Sequence, residues 1–218
     1  MASALGTGRL MEMWKDSTMH EDQSPALLIV DVQNDFCAGG ALEVAHGNEV
    51  IPVLNRLAAH MSALGFPVYA SRDWHPPTSR HFAVNGGAWP VHCVAGTEGA
   101  RLHPDLDLPP GTLIVSKGIR PDEEGYSDFE GEIAGRGSLL ADLRARGVTD
   151  LIVGGLATDY CVRATAIDAR KEGFGVTVVT DGVRPVDVKP GDGDRALDEM
   201  KAAGVRLAPA SEAFDATE

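Results

Sequence analysis

Cysteine is scarce in this 218-residue chain: Cys37, Cys93 and Cys161 are all it has. Three widely spaced thiols cannot build a disulfide framework, and an odd count without a secretory signal points to a reducing, cytoplasmic setting. Basic residues are also short, 19 Lys and Arg against 32 Asp and Glu, which leaves a net charge of −13. No basic stripe offsets that excess, which argues against nucleic acid or an anionic membrane as partner. No apolar run approaches the ~20 residues of a membrane span. Residues 1–24 carry Arg9, Glu12, Lys15, Asp16, Glu21 and Asp22, so they lack an apolar signal core. They are read as an N-terminal extension, mobile or briefly helical, with no chemistry assigned. Residues 25–218 are long enough for one domain with its own core, and the 44% apolar content of the chain suits one.

What is present is a rhythm. Short, unbroken apolar runs occur at 26–31, 68–73, 112–117, 151–155 and 176–181, rich in β-branched residues and ended by Asp31, Asp73, Lys117, Gly155 and Asp181. Runs of this kind fit strands buried on both faces of a parallel sheet. Helical spacing separates most of them. Asn48 is a candidate cap for a helix through Leu54, Leu57 and Met61 that stops at Gly65. Ser138 opens another that stops at Gly147, Thr158 or Asp159 a third that ends near Gly173, and Asp194 a fourth that stops at Gly204. Residues 205–207 read as a last edge strand. The alternation predicts a doubly wound α/β domain with right-handed crossovers. Two stretches break the pattern. Residues 74–111 carry His75, His81, His92 and His103 with Trp74 and Trp89, and residues 118–137 are rich in Gly, Asp and Glu. Long loops in a compact domain are usually functional.

Ligands of open parallel sheets bind beyond the carboxyl ends of the strands. Asp31, Asp73, Lys117 and the Gly154–Ala157 turn leading to Cys161 all belong there. Any one of these could simply cap a turn; the set converges. Cys161 falls in the first turn of a helix after a strand, where the helix dipole and free N–H groups favour thiolate. Those N–H groups and that of Ala157 are candidates to hold an oxyanion. Asp31 follows four apolar residues, and desolvation would raise it toward useful base strength. Lys117 would steady its charge or that of the thiolate. Asp73 and His75, two apart on an extended segment, point the same way. With His81 and His92 they make a borderline-metal set suited to Zn or Fe. His103, next to Pro104, reads as a loop residue, and Cys37 and Cys93 as structural or adventitious. Phe36 and Trp89 are either core or stacking walls for a flat substrate.

The segment Asp31-Val-Gln-Asn-Asp-Phe-Cys37 resembles the opening signature of nicotinamidases/pyrazinamidases, within the isochorismatase-like cysteine hydrolases. Asp73-Trp-His75, Trp89-Pro-Val-His-Cys-Val94, Ser116-Lys-Gly118 and Gly155-Leu-Ala-Thr-Asp-Tyr-Cys-Val162 resemble the remaining blocks, in the same order. The resemblance spans about residues 25–208. It implies a doubly wound, six-stranded sheet and hydrolysis of nicotinamide to nicotinate and ammonia. It implies Cys161 as nucleophile, Asp31 as proton acceptor and Lys117 as its charged partner. Ala157 and Cys161 would supply the oxyanion hole, after a cis Leu156–Ala157 bond. Asp73, His75 and His92 would hold one divalent metal, Zn before Fe or Mn, and His81 matches a further ligand position that varies. Many members carry a histidine where this chain has Ser79, which makes His81 the local candidate. Phe36 and Trp89 match the walls around the ring, and Leu156 and Tyr126 match positions near the substrate. The resemblance also implies a homo-oligomer. Another small-amide or carbamoyl hydrolase, or a catalytically silent binding module, are the alternatives; the metal set disfavours the first and the complete Asp/Lys/Cys set the second.

Overall fold

The structure, a computed structural model, describes residues 24–213. The predicted extension therefore lies outside the described residues, apart from Ser24. In chain order the elements are β1 (Pro25–Val30), α1 (Ile51–Ala63), β2 (Val68–Asp73), β3 (Leu113–Lys117), β4 (Glu132–Ile133), β5 (Gly137–Ser138), α2 (Leu139–Ala145), β6 (Asp150–Leu156), α3 (Arg163–Lys171), β7 (Gly175–Arg184), α4 (Asp192–Ala202) and β8 (Arg206–Ala208). They form one eight-stranded sheet in the order β5-β4-β3-β2-β1-β6-β7-β8.

The strands β3, β2, β1, β6, β7 and β8 pair in parallel, as the apolar runs predict. The sheet is larger than the expected six strands because β4 and β5 add an antiparallel edge. Both come from the stretch 118–137, and each has two residues, too short to show any periodicity.

β1 shows why the sheet is covered on both sides. Leu27 and Ile29 enter one apolar cluster with Leu54, Leu57 and Met61 of α1. Ala26, Leu28 and Val30 enter the other, with Leu139 and Leu143 of α2, Ala166 of α3 and Met200 of α4. Successive side chains of a strand point to opposite faces, so every residue of β1 is buried. Truncating Leu54, which is fully buried, to alanine would cost about 2–5 kcal/mol.

The helix boundaries follow local chemistry. The Ser138 hydroxyl accepts from Ala141 N and caps α2, as expected. Asn48 does not cap α1; it sits in a 3₁₀ turn (Gly47–Val50) and accepts from Ala38 N at 2.8 Å. α4 starts two residues before Asp194, after Gly191. The predicted stop at Gly65 holds: its φ is +81°, and Phe66 N returns to Met61 O at 2.9 Å, a left-handed closure that suits glycine.

Candidate active site

Four neighbouring strands end at one place. Asp31 follows β1, Asp73 ends β2, Lys117 ends β3, and β6 runs into a π-helical turn (Thr158–Val162) that carries Cys161. Asp73 and Lys117 are register partners across β2 and β3. The Lys117 ammonium reaches Asp31 Oδ2 at 2.7 Å, Asp73 Oδ1 at 2.5 Å, Gly125 O at 2.7 Å and Cys161 Sγ at 3.5 Å. Asp31, Asp73 and Cys161 place ligand atoms within 4.8 Å of one another. The strand-end residues singled out from the sequence thus converge. Asp31 has φ +48°, an uncommon backbone setting for a residue other than glycine. The Leu156–Ala157 bond is cis, as the resemblance implied.

Burial governs the charges here. It pushes the Asp31 carboxyl up to about 6, with Lys117 pulling it down and Asp73 pushing it up. Burial also raises Asp73, but the positive charge of Lys117 and the contact with His75 outweigh it and hold that carboxyl low. Lys117 loses solvation too, yet Asp31 and Asp73 raise it well above its ordinary value. The Cys161 thiol departs from the expected direction. Burial and the charges of Asp31, Asp73 and Asp128 push it up, and Lys117 only partly opposes them. The helix start does not make a resting thiolate in this surrounding; the proton needs an acceptor, and Asp31 is within reach.

The loop 74–112 has little regular structure but packs tightly. His75 N donates to Cys93 O and Ala95 N donates to His75 O, an isolated parallel bridge between His75 and Val94. Phe82 and Trp89 form a second bridge. These ties bring His75, His81 and His92 together, with ligand nitrogens within 4.8 Å of one another. All three are buried.

The histidine cluster fits a divalent metal on its own geometry. His75 Nδ1 lies 3.1 Å from Gly118 O, which accepts a hydrogen bond from it, and Nε2 is a buried ring nitrogen with no hydrogen-bond partner among the described residues. His92 Nδ1 lies 2.7 Å from Pro90 O, which frees its Nε2 in the same way. Burial and the neighbouring His75 and His92 push His81 down to about 4, so its imidazole is neutral. Asp73 Oδ2, 3.6 Å from His75 Nε2, adds a carboxylate. Neutral imidazoles with one carboxylate are the donors that zinc and its neighbours take. Ser79, in place of a further histidine, is buried, and its hydroxyl accepts from His81 N at 3.2 Å.

An aromatic cleft joins the two clusters. Phe36, Trp89, Tyr126 and Tyr160 line it, together with Cys161 and Ala157 and with Asp73, His81 and His92. Trp89 Nε1 donates to Tyr126 Oη at 2.9 Å, and Trp89 packs edge-on to Tyr160 with ring centroids 4.8 Å apart. Leu156 is fully buried in the apolar cluster of α1, and its neighbour Ala157, not the Leu156 side chain, lines the cleft. His103 stays outside, against Asn48. Cys37 and Cys93 are buried free thiols that burial raises, fitting the structural reading.

Sequence reasoning gave no role to several residues that hold the site. The buried Gln33 amide donates to Asp73 O and Ala100 O, both at 2.9 Å, and its oxygen accepts from Asp73 N at 2.8 Å. Asp35 accepts from Cys93 N at 2.7 Å and so ties the β1 turn to the histidine loop. Ser71 Oγ donates to Asp31 Oδ1 at 2.7 Å. Tyr160 and Asp128 were likewise unassigned. Gln33, Asp35 and Tyr160 lie inside the quoted motifs, a signal that was there to be used.

Comparison with known proteins agrees with this geometry. The model of the isochorismatase domain matches residues 25–212. The nicotinamidase of Escherichia coli is 43% identical over 198 residues, covering 84% of this chain and 93% of that protein. The nicotinamidase/pyrazinamidase of Mycobacterium tuberculosis is 40% identical and covers 84% and 97%. A solved structure of the pyrazinamidase of Pyrococcus horikoshii in complex with zinc superposes with a TM-score of 0.79 at 44% identity, covering 85% of this chain and 99% of that one. No helix among the described residues is long and apolar enough to cross a membrane. A parallel sheet whose strand ends gather Asp31, Lys117 and Cys161, matched over nearly its whole described length, places this chain in the isochorismatase family.

Proposed function

We propose that this protein is a metal-containing nicotinamidase, hydrolysing nicotinamide to nicotinate and ammonia and so feeding pyridine-nucleotide salvage. The observation that carries the reading is the junction of two clusters at Asp73, whose one oxygen meets Lys117 while the other faces His75. A nucleophile set and a metal set thus flank one aromatic cleft. The similarity to nicotinamidases over most of the chain supports the same substrate.

Cys161 is the nucleophile. Asp31 takes the thiol proton as Sγ attacks the amide carbon, and Lys117, 3.5 Å from Sγ, balances the negative charge that builds there. The amides of Ala157 and Cys161 hold the oxyanion. Asp31 returns the proton to the departing ammonia, and the acyl group remains on sulfur as a thioester. Water, deprotonated by Asp31, then releases nicotinate and restores the thiol. Asp31 suits both directions of transfer because burial lifts it to about 6, close to neutral pH. Phe36 and Trp89 stack on the ring, with Tyr126 and the Leu156–Ala157 peptide bond, not the Leu156 side chain, completing the pocket. Asp73, His75, His92 and His81 would hold the metal, zinc in this reading, which when bound would supply a Lewis acid beside the substrate ring. A cytoplasmic homo-oligomer is the assembly the family resemblance supports.

Ammonia release from nicotinamide, measured for wild type and Cys161→Ala, is the decisive test. Activity retained in the alanine variant would remove Cys161 from its role.

A further inference from the structure

Asp128 takes no part in the chemistry above, yet its carboxyl shares the buried space behind the reacting groups. It opens a 3₁₀ turn (Asp128–Glu130) and is fully buried. Its backbone N–H donates to Thr165 Oγ1 of α3 at 2.9 Å, which fixes the turn in place. Its carboxyl faces Asp31 beyond β1, Ser71 and Asp73 of β2 and Lys117 of β3, and its charge is felt by Cys161 on the π turn. Neither of its oxygens has a hydrogen-bond partner among the described residues.

The arrangement of donors decides its state. Asp31, Asp73 and Asp128 are all buried around one ammonium, Lys117. Lys117 donates to Asp73 and pairs with Asp31, and Ser71 donates to Asp31. Asp128 receives nothing. A buried carboxylate with no donor is strongly disfavoured, whereas a carboxylic acid brings its own donor. One acceptor position suits it. The Ser71 hydroxyl gives its only hydrogen to Asp31 Oδ1 and accepts from Asp31 N at 3.2 Å, which leaves one lone pair of Ser71 Oγ for a further donor.

We propose that Asp128 is a positioning residue: as a neutral carboxylic acid it donates to Ser71 Oγ, and through that hydroxyl it holds Asp31 in the orientation from which Asp31 takes the Cys161 proton. Burial and the adjacent Asp31 charge push the Asp128 carboxyl well above the usual range, in the direction this requires, and outweigh the opposing pull of Lys117 and of the nearby Ser71 hydroxyl, which gives its hydrogen to Asp31 instead. A donor into Ser71 strengthens the Ser71–Asp31 bond, because linked hydrogen bonds polarise one another. The inference rests on the roles of Asp31 and Cys161 proposed above.

The test compares Asp128→Asn and Asp128→Ala with wild type in three measurements. The first is the rate of alkylation of the Cys161 peptide by iodoacetamide over about pH 5 to 9, followed by mass spectrometry, which needs no substrate. The second is kcat and KM for nicotinamide. The third is the difference infrared spectrum of wild type against Asp128→Asn at neutral pH. An amide can still donate to Ser71, so Asp128→Asn is expected to stay within about threefold of wild type in alkylation and kcat, with the acid limb of both pH profiles in place. Asp128→Ala should lower kcat by about 10- to 100-fold with little change in KM, and should slow alkylation of Cys161. The infrared difference should contain the carbonyl band of a protonated carboxylic acid. An Asn variant as impaired as Ala, an Ala variant equal to wild type, or an acid limb moved to lower pH in Asn would overturn the proposal; the last would mean that Asp128 is ionised. If Asp128→Ala does not fold, the Asn alkylation profile and the infrared band still decide. Failure of the wild type to release ammonia would overturn the substrate and leave the alkylation arm to judge Asp128.

Discussion

The two halves of the site are held by different means. Asp73 and Lys117 end paired strands, and Asp31 and Cys161 follow the ends of their neighbours, so their spacing is fixed by main-chain ladders running through the middle of the sheet. His81 and His92 hang on a loop tied down by isolated bridges, by Gln33 and by Asp35. The first half is preorganised by the fold; the second is preorganised by side chains that reach across from the first. In the proposed mechanism, proton transfer and bond-making sit on the half held by the sheet, and ligand capture on the loop half, the kind of segment more open to variation.

Breaking the stiff half should have the largest effect. Cys161→Ala is expected to lower kcat by roughly 10³-fold or more, while metal content by elemental analysis stays at the wild-type level. Breaking the loop half should do the reverse. His92→Ala should lose at least about 10²-fold in metal affinity, with ammonia release falling accordingly and iodoacetamide labelling of Cys161 little changed. A labelling rate that collapses with His92 would show that the halves are not separable.

The pH profile sharpens the comparison further. Burial raises Asp31 to about 6, and only its carboxylate can accept the thiol proton. The value of kcat/KM should therefore fall about tenfold per pH unit below pH ~6. The effect on stability has the opposite sign. With the native pKa above the unfolded value, the folded state binds more protons between about pH 4 and 6, so the contribution of Asp31 to stability is lost as pH rises through that window. Denaturant titrations at both ends would check it. The smallest effect is expected from Gly118→Ala. A Cβ there would lie 2.4 Å from His75 Cε1, on a backbone with φ +62°. Its displacement of the ring should weaken metal binding by about tenfold, with the nucleophile half intact by alkylation.

The fold was legible where one physical signal dominated. The unbroken run before Asp31 announced a doubly buried strand, and Gly65, Gly147, Gly173 and Gly204 marked the helix ends, each with positive φ. Strand-end logic alone gathered Asp31, Asp73, Lys117 and Cys161. The π turn and the strand pair β4–β5 were not legible, because neither leaves a periodic trace. The roles of Ser71 and Asp128 depend on neighbours far along the chain, Asp31 for one and Thr165 and Ser71 among those of the other, the nearest of them 37 residues away; a local window contains nothing of them. The state of the Cys161 thiol was misjudged for a related reason. The helix start is a local feature, but the burial that outweighs it, and the charges of Asp31, Asp73 and Asp128 that add to it, come from other elements.

The placement of the reacting groups at the ends of hydrogen-bonded strands has a consequence for change over time. Neighbouring strands keep a separation of about 4.8 Å whatever side chains they carry, so the sheet works as a ruler whose divisions cannot drift. Insertions and exchanges in the 74–112 segment can retune what is captured while the interval between acid, base and sulfur stays constant. A chain built this way can explore new ligands one loop at a time without remeasuring its chemistry.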